Sequence, residues 1–523
     1  MFSDARCNGN GRRSIASLLF YNQLKNRKEL IMRSLITRSI AFLLVSAFVC
    51  SPVWATCGGG GGGGGGGTSG SGGSGGGSTS NPVVYHVPWK PILGPDKVVT
   101  EGLILYWFPA SKEELQRSSL RESRELSLYA AQCISMALAD GRTPHAQELV
   151  GESKLPVAVL ANPDGTSVAK LENVGGKLKV ADVEKLVGTE VKTRGTNLDN
   201  DLKDAKAKAA AGEKDAAIKL YKNVATQKCM FPKKAKVAQA ELKKLGGEEK
   251  LGAIPDAPNF DKKVTAAITL VMKRGLIAEN KAQYLLADKL YTQANKIDPA
   301  DPTPLRYLAE LHRHHIGDWE KAKSEFNQIL GMQADPLSRA VALHGLGKIT
   351  IHEGEFKKGL GLMEESIETY PLALAYRNIA VYWNSEGDLA KGSEYTQKAF
   401  DLDPNDPYNH VFAAVFMAAA GKKDEALKIA VKNVNLLPAS YNIAAIFAQA
   451  GQRDKALAYL KRHFYSYERF QAVREKEMME ARVDAVFDSL RNDRAFLDLT
   501  KYADGMLPMP MSPREAETMK MQH

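Results

Sequence analysis

Five glycines in the second half of this chain, Gly317, Gly354, Gly387, Gly421 and Gly451, are spaced by 37, 33, 34 and 30 residues. A near-constant period of this length means one supersecondary unit copied along the chain, and such units bury their apolar faces only by stacking on one another. The fifth residue after every one of these glycines is small: Ala322, Gly359, Gly392, Ala426 and Ala456. A small residue recurring at one phase marks the point where the second helix of a hairpin crosses the first most closely, because Gly or Ala lets two backbones approach. The spacing predicts a stack of helical hairpins from about Val264 to Phe470.

Other positions keep the same phase. Leu346-Gly347, Ile379-Ala380 and Ile443-Ala444 fall on first helices, Pro299, Pro371, Pro404 and Pro438 end second helices, and Ala287, Tyr291 and Ala294 repeat the pattern in an earlier hairpin. These residues resemble the tetratricopeptide repeat family, with about six repeats over residues 263–470. The resemblance implies an all-α solenoid whose inner face binds proteins or peptides. Arg377, Asn378, Tyr441 and Asn442 stand at first-helix positions that tend to face such a groove. They are the candidate peptide-binding residues, although each fits packing or a solvated position equally well. The paired Lys and Asn clamp that some members use for C-terminal carboxylates is incomplete, since Val381 stands three after Asn378, so no carboxylate ligand is expected. Residues 471–500, with Phe487 and Phe496 as apolar anchors, are expected to cap the last exposed face.

The N-terminal half reads differently. Residues 1–55 carry eight Lys or Arg against Asp4 and Glu29, which accounts for +6 of the net charge of +10. The remaining +4 is too dilute for the clustered basic face that phosphate binding requires, so nucleic acid is not an expected partner. From Met32, the expected true start, Arg33 and Arg38 precede an apolar run from Ile40 to Val49, and Val53-Trp54-Ala55 supplies small residues of a cleavage site. Segment 1–55 therefore reads as a secretory signal, with an apolar run about half the length of a membrane span. The expectation is an exported protein, periplasmic or associated with the cell surface, with no span after cleavage. A lipid anchor on Cys57 is disfavoured, because Trp54-Ala55-Thr56 lacks the aliphatic residue such sites carry. Segment 56–81, with ten consecutive glycines from Gly58 to Gly67, is a flexible spacer, since glycine without side chains cannot bury apolar area against its backbone entropy.

Residues 82–190 alternate strand and helix signals. Gly102 to Phe108 reads as a buried strand, Ser111 caps a helical run through Leu115, Leu120, Leu126 and Ala130, and Cys133 to Asp140 reads as a second strand. A short helix around His145 to Val150, a hairpin turned by Asn162-Pro-Asp-Gly165 and a helix from Val180 to Val187 follow. This order resembles the thioredoxin-like fold. Phe108-Pro-Ala110 stands where that family carries its aromatic, x, Ala before the active site, and Leu155-Pro156 where it carries a cis-proline. The resemblance makes the chain multidomain, an α/β thioredoxin-like domain followed by the tetratricopeptide solenoid. The redox positions, however, hold Glu113 and Gln116, which can neither attack nor resolve a disulfide. That leaves the unit a peptide contact beside Pro156 or a purely structural role.

Between the two, 198–247 is an Ala/Lys-rich helical hairpin segment with a turn at Gly212 and a break at Phe231-Pro232. After cleavage three cysteines remain, Cys57, Cys133 and Cys229. Cys133 and Cys229 either pair in an oxidising compartment and staple the two segments or remain separate packing residues.

Three further motifs carry weaker signals. Gly345-Leu-Gly-Lys348 has the outline of a phosphate loop, but Ile349 replaces the magnesium-holding hydroxyl and Ala342 the first glycine. His312, His314 and His315 point in divergent directions on one helix and read as a solvated run rather than a metal site. The tail 501–523 reads as disordered, with methionines whose thioethers could otherwise serve Cu(I). No catalytic set and no cofactor motif stands out. The expected function is a non-enzymatic exported scaffold, with a thiol-handling protein using Cys133 and Cys229 as the alternative.

Overall fold

The computed structural model describes residues 82–92, 100–247 and 252–501. The expected signal 1–55, the spacer 56–81 and the tail beyond Lys501 lie outside the described residues.

Five strands form one mixed sheet: β1 (Lys90–Pro91), β2 (Ile104–Phe108), β3 (Ser135–Leu138), β4 (Val157–Ala161) and β5 (Ser167–Glu172). Their order is β1-β3-β2-β4-β5, with β1 and β2 parallel to β3, β4 antiparallel to β2, and β5 antiparallel to β4. Side chains alternate across a strand, so β2 serves two cores at once. Leu105 and Trp107 pack with Leu126 and Val183 on one face, while Ile104, Tyr106 and Phe108 pack with Ala146 and Leu149 on the other.

The single helical run expected from Ser111 to Ala130 is divided by serines. Ser111, Ser118 and Ser123 accept from the backbone N–H of Glu114, Leu120 and Leu126, producing α1 (Lys112–Arg117), a 3-10 turn at Ser119–Arg121 and α2 (Arg124–Ala131). A hydroxyl that caps competes with helix continuation, and apolar spacing alone does not register that competition. After α3 (Pro144–Val150) the last helix of the sheet unit departs from expectation in the other direction. It does not stop at Val187 but runs as α4 (Val180–Ala210) into the Ala/Lys-rich segment. Gly188 and Gly195 lie inside it where neighbours come close, since a Cβ on Gly195 would meet the Phe231 ring at 3.4 Å. The sheet and the hairpin α5 (Lys214–Thr226) and α6 (Pro232–Lys244) therefore share one helix.

Six helical hairpins follow. They are α7 (Lys262–Asn280) with α8 (Tyr284–Ile297), α9 (Pro302–Glu310) with α10 (Trp319–Gly331), and α11 (Pro336–His352) with α12 (Phe356–Thr369). Next come α13 (Ala373–Ser385) with α14 (Leu389–Leu402), α15 (Pro407–Ala419) with α16 (Lys423–Lys432), and α17 (Ser440–Gln449) with α18 (Arg453–Arg462). The five period-setting glycines all adopt left-handed backbone in the turns, with φ from +75° to +90°. The small residues five further on are buried at the crossings. At the tightest crossing a Cβ on Gly359 would lie 2.7 Å from the Gly347 carbonyl and 2.5 Å from the Ile351 side chain.

Charge joins the sheet unit to the first hairpins. Arg124 at the start of α2 donates to Asp301 at 2.8 Å, Asp298 at 2.6 Å, the Asn259 carbonyl at 2.8 Å and Thr265 at 3.0 Å. Tyr85 donates to the same Asp301 carboxylate at 2.8 Å, and Val84 and Tyr85 pack among Ile268, Tyr291 and Tyr307.

Candidate functional site

The first helices of successive hairpins share one face, and between α11 and α17 that face holds a cleft of about 140 Å³. A cavity of this size receives a benzene-sized group. Val381 and Tyr382 of α13 with Phe412 and Phe416 of α15 form much of its lining, because residues three or four apart on a helix share a face. Val381 is 38% exposed, a large apolar group left open to solvent in the middle of an array. Asn384, also in the lining, has a buried Oδ1 without a hydrogen-bond partner among the described residues.

One wall of the cleft was not foreseen. The segment after the last hairpin was expected to cap the array, but α19 (Gln471–Val483) lies against the first helices instead. Val473 packs on Gly317, and Lys476 donates to the Gly317 carbonyl at 2.9 Å while standing 3.5 Å over the Trp319 ring. Glu480 accepts from Lys348 at 2.9 Å. Val473, Lys476 and Glu480 form an i, i+3, i+7 stripe, and its fit to this face is what draws the helix inward. End-capping falls to Phe487 and to Phe496 of α20 (Arg494–Leu499), which pack into the same core as Ile446 and Leu460.

The buried charges follow from this closure. Burial acts to raise the Glu480 carboxyl, but Lys348 and His352 outweigh it and hold the group well below the usual carboxylate range. Burial, assisted by Lys348, pushes His352 down to about 3, and burial lowers Lys476 to about 8. The histidine run corrects another expectation, since it is not solvated. His312 and His314 are buried in a π-helical turn, Leu311–Ile316, that continues α9. As expected they diverge: His312 contacts Glu325 at 2.7 Å and Asp288 at 3.0 Å, His314 approaches the Tyr467 hydroxyl at 3.4 Å, and His315 stacks on Tyr284. Among the described residues no group of three His, Cys, Asp or Glu side chains is placed to hold a metal ion.

The four residues proposed from first-helix phase are all buried. Arg377 donates to Asn409 at 2.6 Å and lies over the Tyr408 ring, away from the cleft lining. Asn378 pairs with His344 at 2.7 Å, Tyr441 donates to Asp484 at 2.9 Å, and Asn442 donates to the Tyr408 hydroxyl at 2.5 Å. The last three line the cleft, each with a side-chain hydrogen bond already made inside the protein. The residues that phase reasoning passed over, Val381 and Asn384, are those whose surfaces remain unmatched. For Val381 the signal was an apolar side chain where a clamp residue was sought; Asn384 carried none.

Cys133 and Cys229 are joined by a disulfide, with Cα atoms 5.9 Å apart. Gln333, in the loop before α11, donates to the Cys229 carbonyl at 2.6 Å, so sheet unit, Lys-rich hairpin and array meet at one point. Pro156 is buried at the start of β4 and follows a cis peptide bond, beside the register pair Phe108 and Val157.

The hairpin geometry makes residues 262–462 a tetratricopeptide-like solenoid. No protein-family model matches the chain. It is 23% identical over 230 residues to the protein CTR9 homolog of Arabidopsis thaliana, a match covering 35% of this chain and 21% of that protein's length. It is 25% identical over 123 residues to the photosystem I assembly protein Ycf3 of Rippkaea orientalis, covering 21% of this chain and 69% of the relative. Among solved structures, a thermophilic tetratricopeptide protein of Thermus thermophilus matches with a TM-score of 0.28 at 18% identity, covering 37% of this chain and 98% of that one. The human IFIT1 dimer with m7Gppp-AAAA matches with a TM-score of 0.31 at 14% identity, covering 56% and 74%.

Proposed function

We propose that this chain is an exported, non-enzymatic adaptor that holds a protein or peptide partner on the first-helix face of its repeats. The observation that carries this reading is the open apolar cleft around Val381 and Phe416, with an unmatched acceptor on Asn384. Buried apolar anchors beside a few oriented polar groups are how helical arrays grip extended peptides. The dilute charge outside residues 1–55 favours a protein partner over nucleic acid. In this reading 1–55 is removed on export and 56–81 acts as a tether.

The sheet unit is, on the same proposal, a thioredoxin-like domain without redox chemistry. The support is its strand order, β1-β3-β2-β4-β5 with two antiparallel strands at one edge, and the absence of cysteine from 111–116. The alternative of a thiol-handling protein loses force because Cys133 and Cys229 consume each other. The test is isolation from the secreted fraction of the host, with the mature N-terminus read by mass spectrometry and partners captured by crosslinking. The proposal expects a chain beginning at Thr56 and a stoichiometric protein partner that Val381→Glu releases. A full-length chain, or mixed disulfides at Cys133 or Cys229, overturns it.

A further inference from the structure

We infer that the cleft has an internal occupant, the chain's own segment Met506-Leu-Pro-Met-Pro-Met511. The inference rests on the reading of the cleft as a peptide site and adds how that site is regulated. Three observations converge on it.

The first is position. Thr500, at the end of α20, accepts from the Arg482 guanidinium through its carbonyl at 3.1 Å and its hydroxyl at 3.0 Å. Arg482 is followed directly by Val483, a residue of the cleft wall. The described chain therefore ends against the helix that carries Glu480 and Val483 of the cleft wall, and the five residues from Lys501 to Met506 span up to about 17 Å when extended.

The second is chemistry. Tyr382, Phe412 and Phe416 give the cleft an aromatic lining. Aromatic grooves take up proline-rich strands, whose backbone is already extended and loses little freedom on docking. Methionine adds a flexible apolar side chain whose sulfur packs favourably on aromatic rings. Met506 to Met511 alternates the two residue types over six positions, and Leu507 is its only other member. The third is an unmatched acceptor: the buried Asn384 Oδ1 can receive a backbone N–H, which Met506, Leu507, Met509 and Met511 carry and the prolines do not.

The consequence is competition, since an external partner must displace the tail and its apparent affinity falls by the fraction of molecules in which the cleft is closed. Hydrogen exchange on the full chain and on a chain ending at Lys501 tests this, together with anisotropy of a labelled peptide of residues 502–523. The expected result is several-fold faster exchange at 378–385 and 412–416 after truncation. The peptide should bind the truncated chain at least tenfold more tightly than the full one, and lose binding with Val381→Glu in the cleft or with Met509→Asp and Met511→Asp in the peptide. Unchanged exchange with no peptide binding overturns the inference, even when an external partner is still captured. Equal binding to both chains overturns the internal occupant while leaving the cleft as a peptide site. Protection that grows with chain concentration overturns the assignment in favour of a tail from a second copy.

Discussion

The joint between the sheet unit and the first hairpins, and the cleft between α11 and α17, are both places where helices leave room for polar groups. They resolve it in opposite ways. At the joint, Arg124 has four partners and Asp301 is shared with Tyr85, so the charges of that network are matched, while Arg306 beside His86 keeps Nε and Nη1 without partners among the described residues. In the cleft, Val381 is open and Asn384 Oδ1 is unmatched. A matched buried network fixes a geometry, whereas an unmatched one leaves free energy to be recovered by a ligand.

The sharpest way to break this contrast is Arg124→Ala. Removing one member of a buried ion network strands the others, at a cost of about 3–5 kcal/mol. Denaturant unfolding should show that loss, whereas Asn384→Ala should leave the midpoint nearly unchanged. Next in size is the disulfide, which closes a loop with a sequence separation of 96. Cys133→Ser with Cys229→Ser, or reduction, should cost about 2–4 kcal/mol and lower the melting temperature.

Acid provides a third comparison. Burial holds His86, near the joint, and His315 and His352, in the array, at about 3, against an ordinary 6.5. The unfolded chain therefore binds protons that the folded one refuses, and their contribution, present above pH 6.5, is lost as pH falls toward 3. Glu279 works the other way: burial pushes it up to about 8, so its contribution is complete below pH 4.5 and is lost as pH rises through 8. Melting curves from pH 4 to 9 should peak near neutrality, His352→Gln should soften the acid side, and Glu279→Gln the alkaline side.

The smallest effect separates two glycines that look alike in sequence. Gly359→Ala forces a Cβ to within 2.7 Å of the Gly347 carbonyl, while Gly392→Ala meets nothing closer than the Ala380 carbonyl at 3.4 Å. The first should destabilise by about 1–3 kcal/mol. The second should be neutral or gain up to about 1 kcal/mol from helix propensity, as thermal melting would show.

The repeats were legible because their physics is local and periodic: a left-handed turn and a small residue at each crossing recur in the text itself. The succession of strands and helices from Gly102 onward was legible for a similar reason, since their signals alternate, whereas the pairing of Lys90–Pro91 with β3 carried no signal. What sequence could not convey was which face α19 chooses, because that depends on Gly317, Lys348 and Trp319 lying together, residues from two different hairpins. The same closure buries His314 and gives Tyr441 its partner Asp484, while Asn378 and Asn442 find theirs, His344 and Tyr408, within the array. Only Val381 and Asn384 escape it, and neither belongs to a pattern that periodicity would single out.

The 31-residue helix α4 has a mechanical meaning. At 1.5 Å per residue it is a rod of about 46 Å, rooted under the sheet at one end and carrying the Lys-rich hairpin at the other. With the disulfide tying Cys229, between α5 and α6, back to Cys133 in the sheet unit, rod and bond close a frame, and Gln333 of the array reaches it at the Cys229 carbonyl. A pull applied at the sheet end is therefore borne along the closed frame instead of being spent in bending a linker.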